Sequence, residues 1–215
     1  MMGDILRSDS DGVILKNPNI ASMKEDVLYH ISLSSGTHDL KEMFGDIRFV
    51  CMGGTPKRME GFAHFIQKEL NIKLPTGTVL EDISRHSYRY SMFKIGPVLS
   101  ISHGMGIPSV SIMLHEVIKL IYHAQCKDVT FIRIGTCGGI GLPGGSLVIT
   151  EEAVDGLMHP YLELHVLGKM VQRPAILDSE VAKEIKSLAN EKFPHYKTVL
   201  GRTMCTYDFY EGKFY

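Results

Sequence analysis

Apolar residues fall along the chain in short runs that each empty into glycine. Ile47-Arg48-Phe49-Val50-Cys51-Met52 ends in Gly53-Gly54, and Val98-Leu99-Ser100-Ile101-Ser102-His103 ends in Gly104-Met105-Gly106. Val129-Thr130-Phe131-Ile132-Arg133-Ile134 runs into a loop in which six of the eleven residues from Gly135 to Gly145 are glycine. Short β-branched runs bounded by glycine predict buried strands. Helices are predicted after the first two. Thr55 is placed as an N-cap with Pro56 as the first helical residue, and Met59, Phe62, Ile66 and Leu70 then recur at helical spacing. Residues 109–124 read as a second helix, apolar over most of its surface.

The remaining pattern fills in around these units. Tyr88 to Ile95 alternates with period two and predicts a half-exposed strand, turned by Gly96-Pro97 into the strand over 98–103. Residues 146–150 and 197–200 predict further strands, and Asp178 caps a helix through Glu191. Residues 71–86 read as loop and 151–176 as weakly patterned. Residues 1–16 read as a flexible tail, after which Ser22 would cap a short turn through Asp26. Strand-then-glycine units separated by helices imply an α/β sheet with its site at the strand carboxyl ends.

Composition narrows the partners. An apolar fraction of 44%, 22% charged residues and a net charge of −1 describe an ordinary globular chain, with no broad field for nucleic acid or an anionic membrane. No apolar run approaches the ~18–20 residues of a membrane span, and the first residues carry no signal-peptide core. Cys51, Cys126, Cys137 and Cys205 are far apart and form no C-x-x-C, which favours reduced thiols in a cytoplasmic compartment over zinc or disulfides.

The candidate chemistry is anion binding. A strand, a glycine pair and a helix N-terminus make a phosphate-sized site at Gly53-Gly54, with Arg58 in the first helical turn. A cation there opposes the helix dipole by a few tenths of a kcal/mol, a placement that makes sense beside a bound anion. Arg133 stands inside an apolar run, where a buried guanidinium is either salt-bridged or aimed at an anion, and Thr136 offers a hydroxyl and an N–H to the same place. By spacing alone His30 reads as a surface or capping residue and Arg89 as a solvated edge-strand charge, while His115 and His123 are too far apart for neighbouring metal ligands. Gly139-Ile140-Gly141-Leu142-Pro143-Gly144 matches G-x-G-x-x-G but opens no helix, so it is no dinucleotide site; Gly135-Thr136-Cys137-Gly138-Gly139 fails as a nucleophile elbow for the same reason.

Taken together, Gly53-Gly54-Thr55-Pro56-Lys57-Arg58, His103-Gly104-Met105-Gly106-Ile107-Pro108-Ser109, Ile132-Arg133-Ile134-Gly135-Thr136-Cys137-Gly138-Gly139 and the run Thr203 to Gly212 resemble, in order and spacing, uridine phosphorylases of the animal type. The resemblance runs from about Asn17 to Gly212. It implies one three-layer α/β/α domain over 17–215 with a mixed central sheet, and phosphorolysis of uridine to uracil and ribose 1-phosphate in pyrimidine nucleoside salvage. Inorganic phosphate is then the co-substrate, with no cofactor or metal. By the same resemblance Gly54, Arg58, Arg133 and Thr136 would hold phosphate, Arg89 would reach it from a neighbouring subunit, and His30 would reach the ribose 5′-hydroxyl across the dimer. Gly138 would border the base and Phe209 would pack near it. Arg58, Arg133 and Thr136 carry the catalytic expectation.

One departure stands at the end. After Tyr210-Glu211-Gly212 this family places a glutamine and, two residues later, an arginine that bind the base; here Lys213-Phe214-Tyr215 follows. The expectation is a truncated chain with an intact phosphate half-site, lacking the base and ribose half-site and turning over slowly. The alternatives are a non-catalytic short isoform that pairs with full-length subunits as a heterodimer, and a purine nucleoside phosphorylase relative.

Overall fold

The computed structural model describes residues 6–7, 12–15 and 17–210. The chain divides into two compact units, residues 1–136 and 137–215.

In the first unit, β1 (Leu6–Arg7) pairs antiparallel with β2 (Val13–Ile14), and α1 (Asn19–Ser22) follows. Next come a small antiparallel pair, β3 (Val27–Leu28) with β4 (Leu33–Ser34), and a short helix α2 (Leu40–Phe44). The main frame is β5 (Phe49–Gly53), α3 (Pro56–Glu69), β6 (Met92–Ile95), β7 (Val98–Ser102), α4 (Ile107–His123) and β8 (Thr130–Arg133). Its sheet has the order β6-β7-β5-β8; β7, β5 and β8 are mutually parallel and β6 is antiparallel to β7. The sheet is therefore mixed, as expected.

Alternation along the strands builds three layers. Val50, Met52, Leu99 and Ile101 face one way and join Met113, Val117, Leu120 and Ile121 of α4 in the largest core cluster, with Leu28, Ile31 and Phe44. Cys51 and Val98 face the other way onto Met59 of α3, and Phe93 and Ile95 onto Ala63. Burial of a large aliphatic side chain contributes about 1.5–3 kcal/mol, so each helix is held to its face mainly by these contacts. Ser100, fully buried between them, donates its hydroxyl to the Met59 carbonyl at 2.8 Å, which satisfies a polar group that burial would otherwise penalise.

Several expectations change at this level. Of the expected tail, Val13 packs against the main core, while residues 1–5, 8–11 and 16 lie outside the described residues. Ser22 ends a helix instead of starting one and donates its hydroxyl back to the Asn19 carbonyl at 2.9 Å. The helix expected from Ser109 starts two residues earlier, at Ile107. Arg89 is not on a strand. The Asp82 carboxylate accepts from Ser84 N and Met92 N, the Ser84 hydroxyl donates to the Tyr90 carbonyl at 2.6 Å, and Tyr88 takes φ 55, so these contacts curl residues 82–91 and extended pairing starts only at Met92.

In the second unit, β9 (Leu147–Val154) and β12 (Thr198–Met204) pair in parallel, with α5 (Ser179–Lys192) packed on both. Asp178 caps α5 as predicted, accepting from the N–H groups of Glu180 and Val181. The stretch read as weakly patterned holds a hairpin, β10 (Tyr161–Val166) with β11 (Lys169–Pro174). Its turn, Leu167-Gly168, has both residues at positive φ. A leucine there replaces the Asn or Asp that normally signals such a turn.

Candidate functional site

The three parallel strands of the first unit end side by side. Gly53 is in register with Ser102 and Met52 with Arg133, and the ladder continues past the strand ends: His103 N–H donates to Gly53 O at 2.8 Å and Ile134 N–H to Met52 O at 2.7 Å. The loops at 53–55, 103–106 and 134–136 therefore converge on one edge of the sheet. A Cβ placed on Gly54 would lie 3.9 Å from the Gly104 carbonyl, so the first two loops are near contact.

Two helices begin at this edge, α3 after Thr55 and α4 after Gly106. Neither has an acidic residue in its first turn. Thr55 occupies the N-cap position as predicted, but its hydroxyl makes no capping bond, and Gly106 has no side chain to make one. The first-turn N–H groups of both helices thus lack a side-chain cap, and both helix dipoles present partial positive charge to the same edge.

Two guanidinium-bearing residues join them. Arg58, in the first turn of α3, is exposed, and so is Arg133, the last residue of β8; among the described residues neither has an acidic partner. The exposure corrects the expectation of a guanidinium buried in its strand, because the apolar run gives way to the loop at Arg133 itself. Gly135 lies against this side chain, since a Cβ there would meet Nη1 at 2.9 Å. Thr136, exposed one residue further on, closes the first unit. Gly54, Arg58, Arg133 and Thr136 all stand on the three converging loops or on the helical turn that follows the first.

His103 was not singled out by the sequence, and the structure brings it into this group. It is 4% exposed, and its Nδ1 lies 2.9 Å from the Gly104 carbonyl. A carbonyl only accepts, so Nδ1 carries the proton and Nε2 presents a lone pair. Nε2 is fully buried and has no hydrogen-bond partner among the described residues. Burial, and then the charge of Arg133, hold the ring below the usual histidine range and keep it neutral. An unmet buried acceptor costs about 1–3 kcal/mol. The signal available in the sequence was a polar ring closing a strand buried at every position.

Of the other predicted residues, Arg89 and His30 belong to the first unit and Gly138 and Phe209 to the second. Arg89 is exposed, next to Tyr90, which is 2% exposed and donates its hydroxyl to the Ser109 carbonyl in the first turn of α4 at 2.7 Å. His30 is held against α4: its Nδ1 is 2.7 Å from Glu116 Oε1 and its N–H donates to Oε2 at 2.9 Å, while 42% of the side chain remains accessible. In the second unit, Gly138 is exposed with open space about it, and Phe209 is exposed, its ring edge-on to Tyr210.

No helix among the described residues is long and apolar enough to cross a membrane. Residues 48–213 match the family model of the phosphorylase superfamily. The chain is 54% identical over 201 residues to uridine phosphorylase 2 of Mus musculus, covering 94% of this chain and 62% of that protein. It is 52% identical to uridine phosphorylase 1 of the same organism, covering 93% of this chain and 63% of that one. Among solved structures, uridine phosphorylase from Schistosoma mansoni in complex with thymidine superposes with a TM-score of 0.86 at 39% identity, covering 92% of this chain and 67% of that one. The chain thus spans under two thirds of the length of these two mouse relatives.

Proposed function

Because the chain belongs to the phosphorylase superfamily and stands among the animal uridine phosphorylases, we propose that its converging loops form the phosphate half-site of a uridine phosphorylase, a pentosyltransferase that converts uridine and inorganic phosphate to uracil and ribose 1-phosphate. The observation that carries this reading is the meeting of two side-chain-uncapped helix N-termini with Arg58 and Arg133 at one sheet edge, in motifs that resemble that family's. Gly54, Arg58, Arg133 and Thr136 hold the anion, and the family model's span over residues 48–213 supports counting parts of both units as one domain.

The chemistry is positioning and electrostatics. Phosphate fixed by the arginines attacks the anomeric carbon as the glycosidic bond lengthens, the sugar gains oxocarbenium character, and negative charge grows on the departing uracil. Inorganic phosphate is the co-substrate and no cofactor enters. Gly138 and Phe209 border the base in this reading. Arg89 and His30 serve the site of a neighbouring subunit in a dimer; the fixed but accessible ring of His30 supports that role. The four free thiols fit a reducing compartment, the cytoplasm.

The test is uracil release from uridine at increasing phosphate, with inosine as the control nucleoside. The assay reads the phosphate dependence of the rate rather than its size. A rate that rises with phosphate, is lost in Arg133→Ala and leaves inosine intact is expected. Release independent of phosphate, or cleavage of inosine in place of uridine, would overturn the reading.

A further inference from the structure

We propose that Tyr90 is a positioning residue of the phosphate site: its hydroxyl holds the first turn of α4 so that the Ile107 and Ser109 N–H groups stay aimed at the bound anion. The inference rests on the phosphate reading above and adds to it a residue that never touches the anion.

The start of α4 is not fixed by its own sequence. Its N-cap is Gly106 at φ 84, and Gly104 two residues earlier is at φ 67, so the helix is entered through two left-handed glycines and no side chain caps it. Pro108 has no N–H and the Val110 N–H donates to Gly106 O at 3.2 Å, which leaves Ile107 and Ser109 as the first-turn donors that can serve a ligand. An ordinary cap would consume such groups, as Asp178 does at α5 by accepting from the N–H groups of Glu180 and Val181. At α4 the turn is held from its other side. The Tyr90 hydroxyl donates to the Ser109 carbonyl at 2.7 Å, and the Ser109 hydroxyl donates to the His103 carbonyl at 2.8 Å. Tyr90 is itself fixed: its ring is buried, and its carbonyl accepts from the buried Ser84 hydroxyl at 2.6 Å. The turn is thereby tied down while its N–H groups are left open. It also stands at the site. A Cβ on Gly104 would meet the Ser109 hydroxyl oxygen at 2.7 Å, the Gly104 carbonyl lies near Gly54 on the loop that leads to Arg58, and Met105 and Gly106 are exposed, so the approach is open. Without the Tyr90 bond, phosphate would have to order a glycine-entered turn as it binds, and that entropy would be subtracted from its affinity.

The test is calorimetric titration of the 215-residue chain with inorganic phosphate, comparing wild type, Tyr90→Phe, Ser109→Ala, the double variant and Arg133→Ala, with urea unfolding to report that each is folded. Tyr90→Phe keeps the buried ring and loses only the hydroxyl. It and Ser109→Ala should each weaken phosphate about five-fold, the scale of one net hydrogen bond. The double variant should stay within about ten-fold of wild type, short of the roughly twenty-five-fold of independent effects, because both bonds hold one turn. In 1H–15N spectra phosphate should move the Ser109 amide downfield in the wild type, and by about half as much or less at saturation in Tyr90→Phe. A bond that merely stabilises the fold would lower the urea midpoint and leave these two readouts unchanged. Phosphate affinity of Tyr90→Phe within about two-fold of wild type, or effects that multiply in the double variant, would overturn the proposal. So would a wild-type Ser109 amide that phosphate does not move, a result that stands even if Tyr90→Phe fails to fold. Absence of binding to the wild type, or indifference to Arg133→Ala, would instead overturn the phosphate reading on which it stands.

Discussion

Gly135→Ala should weaken phosphate binding while leaving the fold as stable as before. A methyl at this position would meet Arg133 Nη1 at 2.9 Å, and Cζ and Nη2 at 3.2 Å, about half an ångström inside ordinary contact for the nearest atom. The backbone of Gly135 is outside the positive-φ set, so alanine is not strained there. The atoms that must yield are the far end of an exposed, flexible side chain, and yielding costs the folded state little. What is lost is the alignment of the guanidinium. A charge-assisted hydrogen bond contributes about 1.5–3 kcal/mol, and loss of about half of one such bond's worth corresponds to roughly ten-fold in Kd. The stability change should stay within about 0.5 kcal/mol, as for surface substitutions generally. Titration calorimetry with inorganic phosphate gives the first number and urea unfolding the second. Gly144→Ala is the control, since a methyl there meets nothing within 4 Å. Phosphate binding by Gly135→Ala as tight as by the wild type would refute the placement of Arg133 in the site.

Other consequences follow from packing and charge. Gly53→Ala drives a methyl into the buried Met59 side chain and should destabilise the chain by about 1–3 kcal/mol in urea unfolding. Asp26 is 2% exposed and is paired with Lys119 at 2.5 Å and His123 at 2.9 Å; Asp26→Asn should cost about 3 kcal/mol at neutral pH, as expected when one partner of a buried pair is removed. Burial alone would raise the Asp26 pKa, but the bonds from Lys119 and His123 outweigh it and hold it below the ordinary carboxylate value of 3.8. Its contribution is therefore present above that value and is lost as pH falls through the lower, folded-state pKa. The gap between wild type and Asp26→Asn should close in acid unfolding curves over that range; a gap that persists there would contradict the pairing. Cys51, whose thiol burial pushes up to about 11, and buried Cys126 should resist alkylation in the native state, while Cys137 and Cys205 react; mass spectrometry of the labelled peptides decides this.

The frame of the first unit was legible because its strands are apolar runs that stop at glycine and its long helices carry one apolar face. That grammar located β5, β7, β8 and the starts of α3 and α4 to within two residues or so, and with them the edge where the candidate residues converge. Arg58, Arg133 and Thr136 were readable as candidate anion ligands from residue type and position, and all three stand at that edge. Three things were not. The hairpin of β10 and β11 lacks the Asn-Gly or Asp-Gly turn that would mark it, because leucine takes the left-handed position. The curl at 82–91 depends on Asp82 accepting from Ser84 and Met92, a contact ten residues long that no local period reveals. His103 looked like the polar end of a strand, and only the structure shows that its Nε2 is buried without a hydrogen-bond partner among the described residues. The roles of Arg89 and His30 came from family resemblance, since spacing pointed to solvated charge and capping.

The central claim is that three strand ends and two helix N-termini form one phosphate site through Arg58 and Arg133. Calorimetric binding of inorganic phosphate to the wild type, Arg58→Ala, Arg133→Ala and the double variant tests it directly. One equivalent should bind saturably, each single substitution should weaken binding by about ten-fold or more, and the double variant should show none. Absence of saturable binding to the wild type, or binding that neither substitution changes, would contradict it.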